Sequence, residues 1–300
     1  MILCSSDWHI RKTRPKSRID DFISTQERKI RFIFQLTQDY NCPLVIAGDF
    51  FELARPGEFI NQWIINLIGE YGIQIIVSPG QHDMPSHNLS LIQDSGLGVL
   101  AAAGVINLLV DQNKPIVTGE YIIYGCPFGT DPGSIVFKKS ASGKIKVLLW
   151  HHMTILEPLW SEQVADKAGK LLRLYPQFDL TVTGDNHQTF SYDRKDKWLI
   201  NPGSITRKNS DQISHLPSIY SYNNKEVSQI FIPIETDVFN ISHIKEAKEK
   251  EARYGDFINK LHTGFGIGVD LNHNFISFFK QNKVKKSVES LVWSCIPDEK

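Results

Sequence analysis

The chain predicts an α/β fold built on two mixed β-sheets, with a small helical appendage at its C-terminal end. Three features carry that expectation. Within the first 80 residues, short apolar runs alternate twice with amphipathic helical stretches, and strand, helix, strand with connections of that length implies parallel pairing in right-handed crossover units. Further apolar runs near residues 121–124, 144–150 and 178–183 read as strands, and two late runs, 218–222 and 228–234, read as an antiparallel pair that closes a second sheet. From Ile241 the composition shifts to Lys and Glu at helical spacing, through Lys245, Glu246, Lys248, Glu249, Lys250 and Glu251. The expected division is therefore residues 1–235 and a helical, partner-docking segment 236–300, too short for much of an independent core.

Taken in order, Met1 to Ser6 is the first apolar run, and a helix from about Thr25 carries Ile30, Ile33, Phe34 and Leu36 until Asn41-Cys42-Pro43 stops it. Leu44 to Ala47 is the second strand. The helix from about Glu58 to Glu70 presents Ile60, Trp63, Ile64, Leu67 and Ile68 at a spacing that suits a core face. Ile73 to Val77 is the third strand, 88–104 reads as helical and then Gly- and Ala-rich, and Ile106 to Val110 and Trp198 to Ile200 are further short runs.

Composition narrows the function classes. At 300 residues and 41% hydrophobic content the chain can bury a sizeable core, and 33 basic against 33 acidic residues leave no global pull toward nucleic acid. A basic footprint would be local: Arg11, Lys12, Arg14, Lys16 and Arg18 crowd one segment, which suits either a solvated loop or a phosphate-contacting one. Cys4, Cys42, Cys126 and Cys295 are scattered without a CxxC pair, against a zinc knuckle or a disulfide framework. No run approaches the roughly 20 apolar residues of a membrane span, and the first residues lead into charged sequence, so a reducing, cytoplasmic setting is expected.

The chemistry lies in the loops that leave the strands. Asp7-Trp8-His9 sets an acid and a His two apart; Gly48-Asp49 comes after the second strand, and Gly80-Gln81-His82-Asp83 after the third. His151-His152 ends the 144–150 run and Gly184-Asp185-Asn186-His187 ends the 178–183 run. Each piece alone has a bland reading as a turn, a cap or a structural histidine. Together they matter, because ligands collect at the carboxyl ends of strands in α/β sheets and a carboxylate such as Asp49 can bridge two cations.

These motifs, in this order and spacing, resemble the calcineurin-like metallophosphoesterases, and within them the SbcD branch of bacterial and phage nuclease subunits. The strand-end Asn201-Pro202-Gly203-Ser204, the Lys/Glu-rich stretch at 241–261 and the tail from Val269-Asp270-Leu271-Asn272 to Phe278-Phe279-Lys280-Gln281-Asn282 favour that branch. The resemblance implies two sheets packed face to face and flanked by helices. It implies one metal on Asp7, His9, Asp49 and His187 and a second on Asp49, Gln81, a histidine of the 151/152 pair and Asp185, with His151 preferred for lying directly at the strand end and His152 open. His82 would stabilise charge or protonate the leaving oxygen, oriented by Asp83. Gln81 stands where the family has Asn, and Asp185 where it has the first His of GHxH. Both changes fall on the second site and add hard oxygen character, so manganese, or magnesium, is expected over zinc. The implied activity is two-metal hydrolysis of DNA phosphodiesters in repair or recombination, with a coiled-coil ABC-type ATPase of the SbcC kind as partner, a homodimer as a further option, and a phage or bacterial setting. The alternatives are a phosphomonoesterase or cyclic-nucleotide phosphodiesterase of the same fold, and a non-catalytic scaffold whose second site has decayed.

Overall fold

In the short central strands, neighbouring residues serve different cores. The computed structural model describes residues 1–137, 143–157, 165–240 and 271–294, in two units, Met1–Asn240 and Ile241–Lys300. In the strand Leu44–Ala47 (β2), Leu44 and Ile46 join a cluster with helical residues Ile30, Phe34, Ile64 and Leu67, while Val45 and Ala47 face Val147, Leu149, Leu180 and Val182 of a second sheet. Buried on both faces, such strands read as unbroken apolar runs without alternation.

The first sheet runs β14 (Glu226–Phe231), β13 (Ser218–Asn223), β1 (Ile2–Ser5), β2, β3 (Ile75–Ser78), β4 (Asn107–Leu108). The second runs β11 (Phe190–Arg194), β12 (Lys197–Asn201), β10 (Leu180–Gly184), β7 (Ile145–His151), β6 (Tyr121–Cys126), β5 (Ile116–Thr118), and β8 (Thr154–Ile155) and β9 (Asp166–Lys167) form a separate parallel pair. Both larger sheets are mixed. β1 to β4 pair in parallel, as do β6, β7, β10 and β12, and antiparallel strands complete the edges. Helices α1 (Phe22–Asp39), α2 (Glu58–Tyr71) and α3 (Gly96–Ala102) carry residues of the first sheet's outer core, and α4 (Ala168–Leu174) packs Ala168, Leu171 and Leu172 with Leu148, Trp150 and Leu199 on the outer face of the second. The result is helices, sheet, sheet, helix, as expected for the fold class.

Three expectations are corrected. The late pair β13 and β14 extends the first sheet, through Ile2↔Tyr222, Leu3↔Ser221 and Cys4↔Tyr220, and does not close the second. The second sheet is completed by β5 and β11, which have weak sequence signals: β5 is three residues long, and β11 exposes Ser191, Tyr192 and Asp193 at an edge. Helix α1 begins at Phe22, because the Asp21 carboxylate accepts the Ser24 amide (3.3 Å) and caps it ahead of the apolar stripe. The first unit also continues past 235. Ile19 N–H donates to Val238 O (3.0 Å), Asn240 N–H to Ser17 O (2.9 Å), and the Phe239 ring lies against the guanidinium groups of Arg18 and Arg207.

That contact also settles one member of the basic segment. Arg18 is buried, chelates Asp20 (2.7 and 2.6 Å) and donates to Arg207 O (2.7 Å), so it holds the fold, whereas Lys12, Arg14 and Lys16 are exposed. In the C-terminal unit, α5 (Leu271–Gln281) and α6 (Lys286–Ser294) bring together the rings of Phe275, Phe279 and Trp293, 5.9 to 6.0 Å apart. The Lys/Glu-rich helix expected at 241–261 lies outside the described residues. No helix among the described residues is long and apolar enough to cross a membrane.

Trp8 links this frame to the loops above it. Its fully buried ring stacks on Phe50 (5.2 Å), packs on Phe34 of α1 (5.9 Å), and its Nε1 donates to Ser5 Oγ (2.7 Å). Trp8→Ala should cost roughly 3–5 kcal/mol of stability, read as a lowered denaturation midpoint; an unchanged midpoint would show that the ring does not tie these loops together.

Candidate metal centre

Beyond the ends of β1 and β2 the two chains stay paired. Asp7 N–H donates to Gly48 O (3.1 Å), His9 N–H to Asp49 O (2.9 Å) and Ile10 N–H to Phe50 O (3.0 Å). Along this extension Asp7, His9 and Asp49 adopt left-handed backbone, with φ of 52°, 49° and 50°, and Asp185 after β10 does so at 76°. That conformation costs an L-residue roughly 1–2 kcal/mol and gathers at functional sites. Such strain persists only where the surroundings over-determine it, and here the ladder between the two loops does so.

The side chains converge on Asp49. Its Oδ1 accepts the His82 amide (3.0 Å), and its Oδ2 has three imidazole nitrogens around it: His151 Nε2 at 3.5 Å, His9 Nε2 at 3.6 Å and His82 Nε2 at 3.9 Å. Room for this depends on two glycines. A Cβ at Gly48, itself left-handed at φ 82°, would fall on the His151 ring, and one at Gly80 would fall on the Asp49 carboxylate. His151 Nδ1 donates to Ala47 O (2.7 Å), which leaves Nε2 as the nitrogen facing Asp49. The neighbouring His152 takes no part: its ring stacks on Trp150 (4.1 Å) and its Nε2 meets Asp166 Oδ2 (3.0 Å).

Three groups of converging ligand atoms result, Asp7 with His9 and His187, His9 with Asp49 and His82, and Asp7 with Asp49 and His151, the atoms of each within 4.8 Å of one another. His9 Nε2 and His187 Nε2 stand 3.0 Å apart. Asp7 Oδ1 accepts the Asp185 amide (3.0 Å), which fixes the last loop against the first. Gln81 and Asp185, the two residues that depart from the family pattern, face each other, with Gln81 Nε2 donating to Asp185 Oδ1 (2.7 Å). Of the seven residues expected as ligands, Asp7, His9, Asp49, His151 and His187 fall in these groups, while Gln81 and Asp185 lie beside them, bonded to each other.

Their polar atoms are incompletely used by the protein. Asp7 Oδ2, Asp49 Oδ2, His151 Nε2 and Gln81 Oε1 are buried without a hydrogen-bond partner, a state that costs about 1–3 kcal/mol each, while His9 Nδ1 faces the Glu52 carboxylate at 3.3 Å. Carboxylate, amide and imidazole donors left in this way suit divalent cations, so the residues present fit a metal pair.

Electrostatics agree with that reading. Burial pushes Asp49 up, but the charges of His151, His9 and His82 outweigh it and hold the carboxyl well below its usual range. Burial opposes charge on His151, and Asp49 and Asp7 overcome it, raising the ring to about 10. Burial lifts Asp7 to about 7, while burial and the charge of His9 lower His187 to about 3.

No protein-family model and no curated protein matches the chain. Among solved structures it is similar to a novel archaeal phosphodiesterase, at 14% identity over 77% of this chain and 98% of that one, with a TM-score of 0.41. It is also similar to a protein of Thermus thermophilus, at 11% identity with the same coverage and a TM-score of 0.49. A dimetal phosphatase from Danio rerio is similar at 8% identity, again over 77% and 98%, with a TM-score of 0.46.

The expected partnership of His82 and Asp83 is corrected. Asp83 is buried and its carboxylate accepts the amides of Phe50 (3.2 Å), Phe51 (2.9 Å) and Gly80 (2.9 Å), stapling the second loop to the third. The His82 ring is oriented instead by Glu52, whose carbonyl meets Nδ1 at 2.9 Å. Glu52 escaped the sequence reading, as did Lys208 and the loop-holding role of Asn201. The Asn201 amide donates to Asn186 O (2.5 Å) and Gln188 O (2.6 Å), on either side of His187. The Asn-Pro-Gly-Ser strand end was visible in the sequence; Glu52 and Lys208, 156 positions apart, carried no local signal.

Metal ligands bind as neutral imidazole and ionised carboxylate, so loading at pH 8 should release about one proton, from His151. At pH 6 Asp7 must also ionise, and the release should rise toward two as affinity falls. Calorimetry of manganese binding in buffers of different ionisation enthalpy checks this; release that does not change with pH would contradict the assignment.

Proposed function

We propose that this chain is a metal-dependent phosphodiesterase that cleaves DNA, a nuclease subunit of the SbcD type. The observation that carries the reading is the convergence of buried imidazole and carboxylate groups around Asp49 and Asp7, drawn from the ends of β1, β2, β7 and β10, with the free oxygens and nitrogens of a metal site. Asp7, His9, Asp49 and His187 would hold one cation, and Asp49, Gln81, His151 and Asp185 the other. Two such cations, when bound, supply Lewis-acid polarisation of a phosphoryl group and an acidified water.

The remaining work falls to the chain. His82 is the most exposed member of the cluster, at 42% for its side chain, and its Nε2 is turned toward Asp49 while Nδ1 is held by the Glu52 carbonyl. It is the group we assign to proton donation at the leaving oxygen. Asp83 keeps the loop beneath it rigid. The exposed Lys12, Arg14 and Lys16 come soon after His9 in sequence, a local positive stretch suited to the phosphates of a strand extending away from the reacting one. The 236–300 segment is the part we assign to docking an ATPase partner in DNA repair or recombination. Manganese or magnesium is the preferred metal, because Gln81 and Asp185 add oxygen donors.

The test is nucleotide release from linear duplex and single-stranded DNA with manganese, magnesium or zinc, beside a small chromogenic phosphodiester. Asp49→Asn should lower turnover by roughly two orders of magnitude or more and leave the circular dichroism spectrum unchanged. Full activity in that variant would sink the metal assignment, and highest activity with zinc would sink the metal preference. Cleavage of the small diester alone would move the function to a small-substrate phosphodiesterase. Silence on both substrates, with one ion or none bound, would favour the scaffold.

A further inference from the structure

We propose that Lys208 is a substrate-positioning residue of this centre, holding an oxygen of the bound phosphate, with Glu52 as its resident counter-ion. The inference rests on the phosphodiesterase reading above and adds to it a residue that none of the strand-end motifs contains.

Glu52 is where the charges of this rim meet. Its Oε2 lies 3.3 Å from His9 Nδ1 and 3.1 Å from Lys208 Nζ, and its Oε1 accepts from Arg11 at 3.0 Å. One carboxylate therefore faces two permanent cations. Glu52 Oε2 thus bridges the Lys208 ammonium and the His9 ring. The Lys208 side chain is only 10% exposed, and Glu52 supplies the pairing that a buried ammonium requires.

The two cations differ in where they sit. Arg11 is 26% exposed and is tied outward, with Nε and one terminal nitrogen on Thr13 Oγ1 (3.1 and 2.9 Å) and the other on Glu52, whereas Lys208 is 10% exposed. Among the described residues the one hydrogen-bond partner of Lys208 Nζ is Glu52 Oε2, so two of its three N–H donors remain. The backbone around it is fixed: Ser204 pairs with Ser6 beside β1, Thr206 N–H reaches Ser204 Oγ (3.4 Å), and Lys208 N–H donates to Gln212 Oε1 (2.7 Å). A pinned lysine with spare donors beside the metal-ligand histidines is built to meet an anion.

The test uses the full chain loaded with manganese, the chromogenic phosphodiester as substrate and inorganic phosphate as competing ligand. Lys208→Met should raise KM and the phosphate inhibition constant about tenfold with bound manganese and kcat changed far less, and Lys208→Arg should keep most of the affinity. The Glu52→Gln, Lys208→Met double variant should stay weak. Wild-type values in Lys208→Met, or their return in the double variant, would overturn the proposal by reducing Lys208 to a charge balance for Glu52. A wild-type chain that takes up no manganese and cleaves no diester would instead fail the underlying reading, and this proposal with it.

Discussion

A carboxylate with almost no access to water must be compensated, and the upper end of this molecule is arranged around compensating one. Asp49 is 1% exposed, and an isolated buried charge would be intolerable. Three imidazoles close on one of its oxygens and a backbone amide on the other. To deliver those groups, loops from both sheets must approach within hydrogen-bond distance, and the local backbone bears the marks of that approach. Gly48 and Gly80 have no room for a Cβ, Asp7, His9, Asp49 and Asp185 take left-handed backbone, and the ladder between β1 and β2 runs on past the strands.

The cost is met by division of labour between adjacent residues. His82 and Asp83 are neighbours with opposite tasks, one half in solvent and oriented by a carbonyl, the other sealed in and spending its oxygens on three amides. Burial and the Asp49 charge push Asp83 up, and the three amides pull against that shift. His151 and His152 split in the same way, because residues adjacent along a strand point to opposite faces. One enters the space between the sheets, and the other stacks on Trp150 on the outer side.

Much of this was legible in the sequence for a physical reason. Strands buried on both faces leave long apolar signatures, and loops that leave strand ends are tied to the strand in sequence, so the loops holding Asp7, His9, Asp49, Gln81, His151, Asp185 and His187 stand out in local pattern, while their expected role as ligands comes from the family resemblance. What escaped was non-local or edge-like. Strand β11 has one neighbour and mostly exposed side chains, so it lacks an apolar run, and the sheet that β13 joins is decided by pairing with β1 more than 200 residues earlier. The role of Asp83 was misread because a carboxylate next to a histidine looks like its partner, and only the fold reveals three amides within reach. Glu52 and Lys208 illustrate the same limit, since their pairing arises from two loops that no sequence spacing relates.

The two sheets touch through apolar side chains alone along most of their shared face, Val45 and Ala47 on one side and Val147, Leu149, Leu180 and Val182 on the other. Apolar contact is non-directional and sets a separation better than a register. Directional groups cross the gap at its margins, with Tyr121 Oη reaching Tyr222 O and Trp198 Nε1 reaching Lys225 O away from the centre, and His151 Nδ1 reaching Ala47 O and Asp185 N–H reaching Asp7 Oδ1 beside Asp49. A cation shared by Asp49 and His151 would be a rivet through both layers. Part of its binding energy would appear as mechanical registry between the sheets, so shear of one sheet over the other would loosen the grip on the ion.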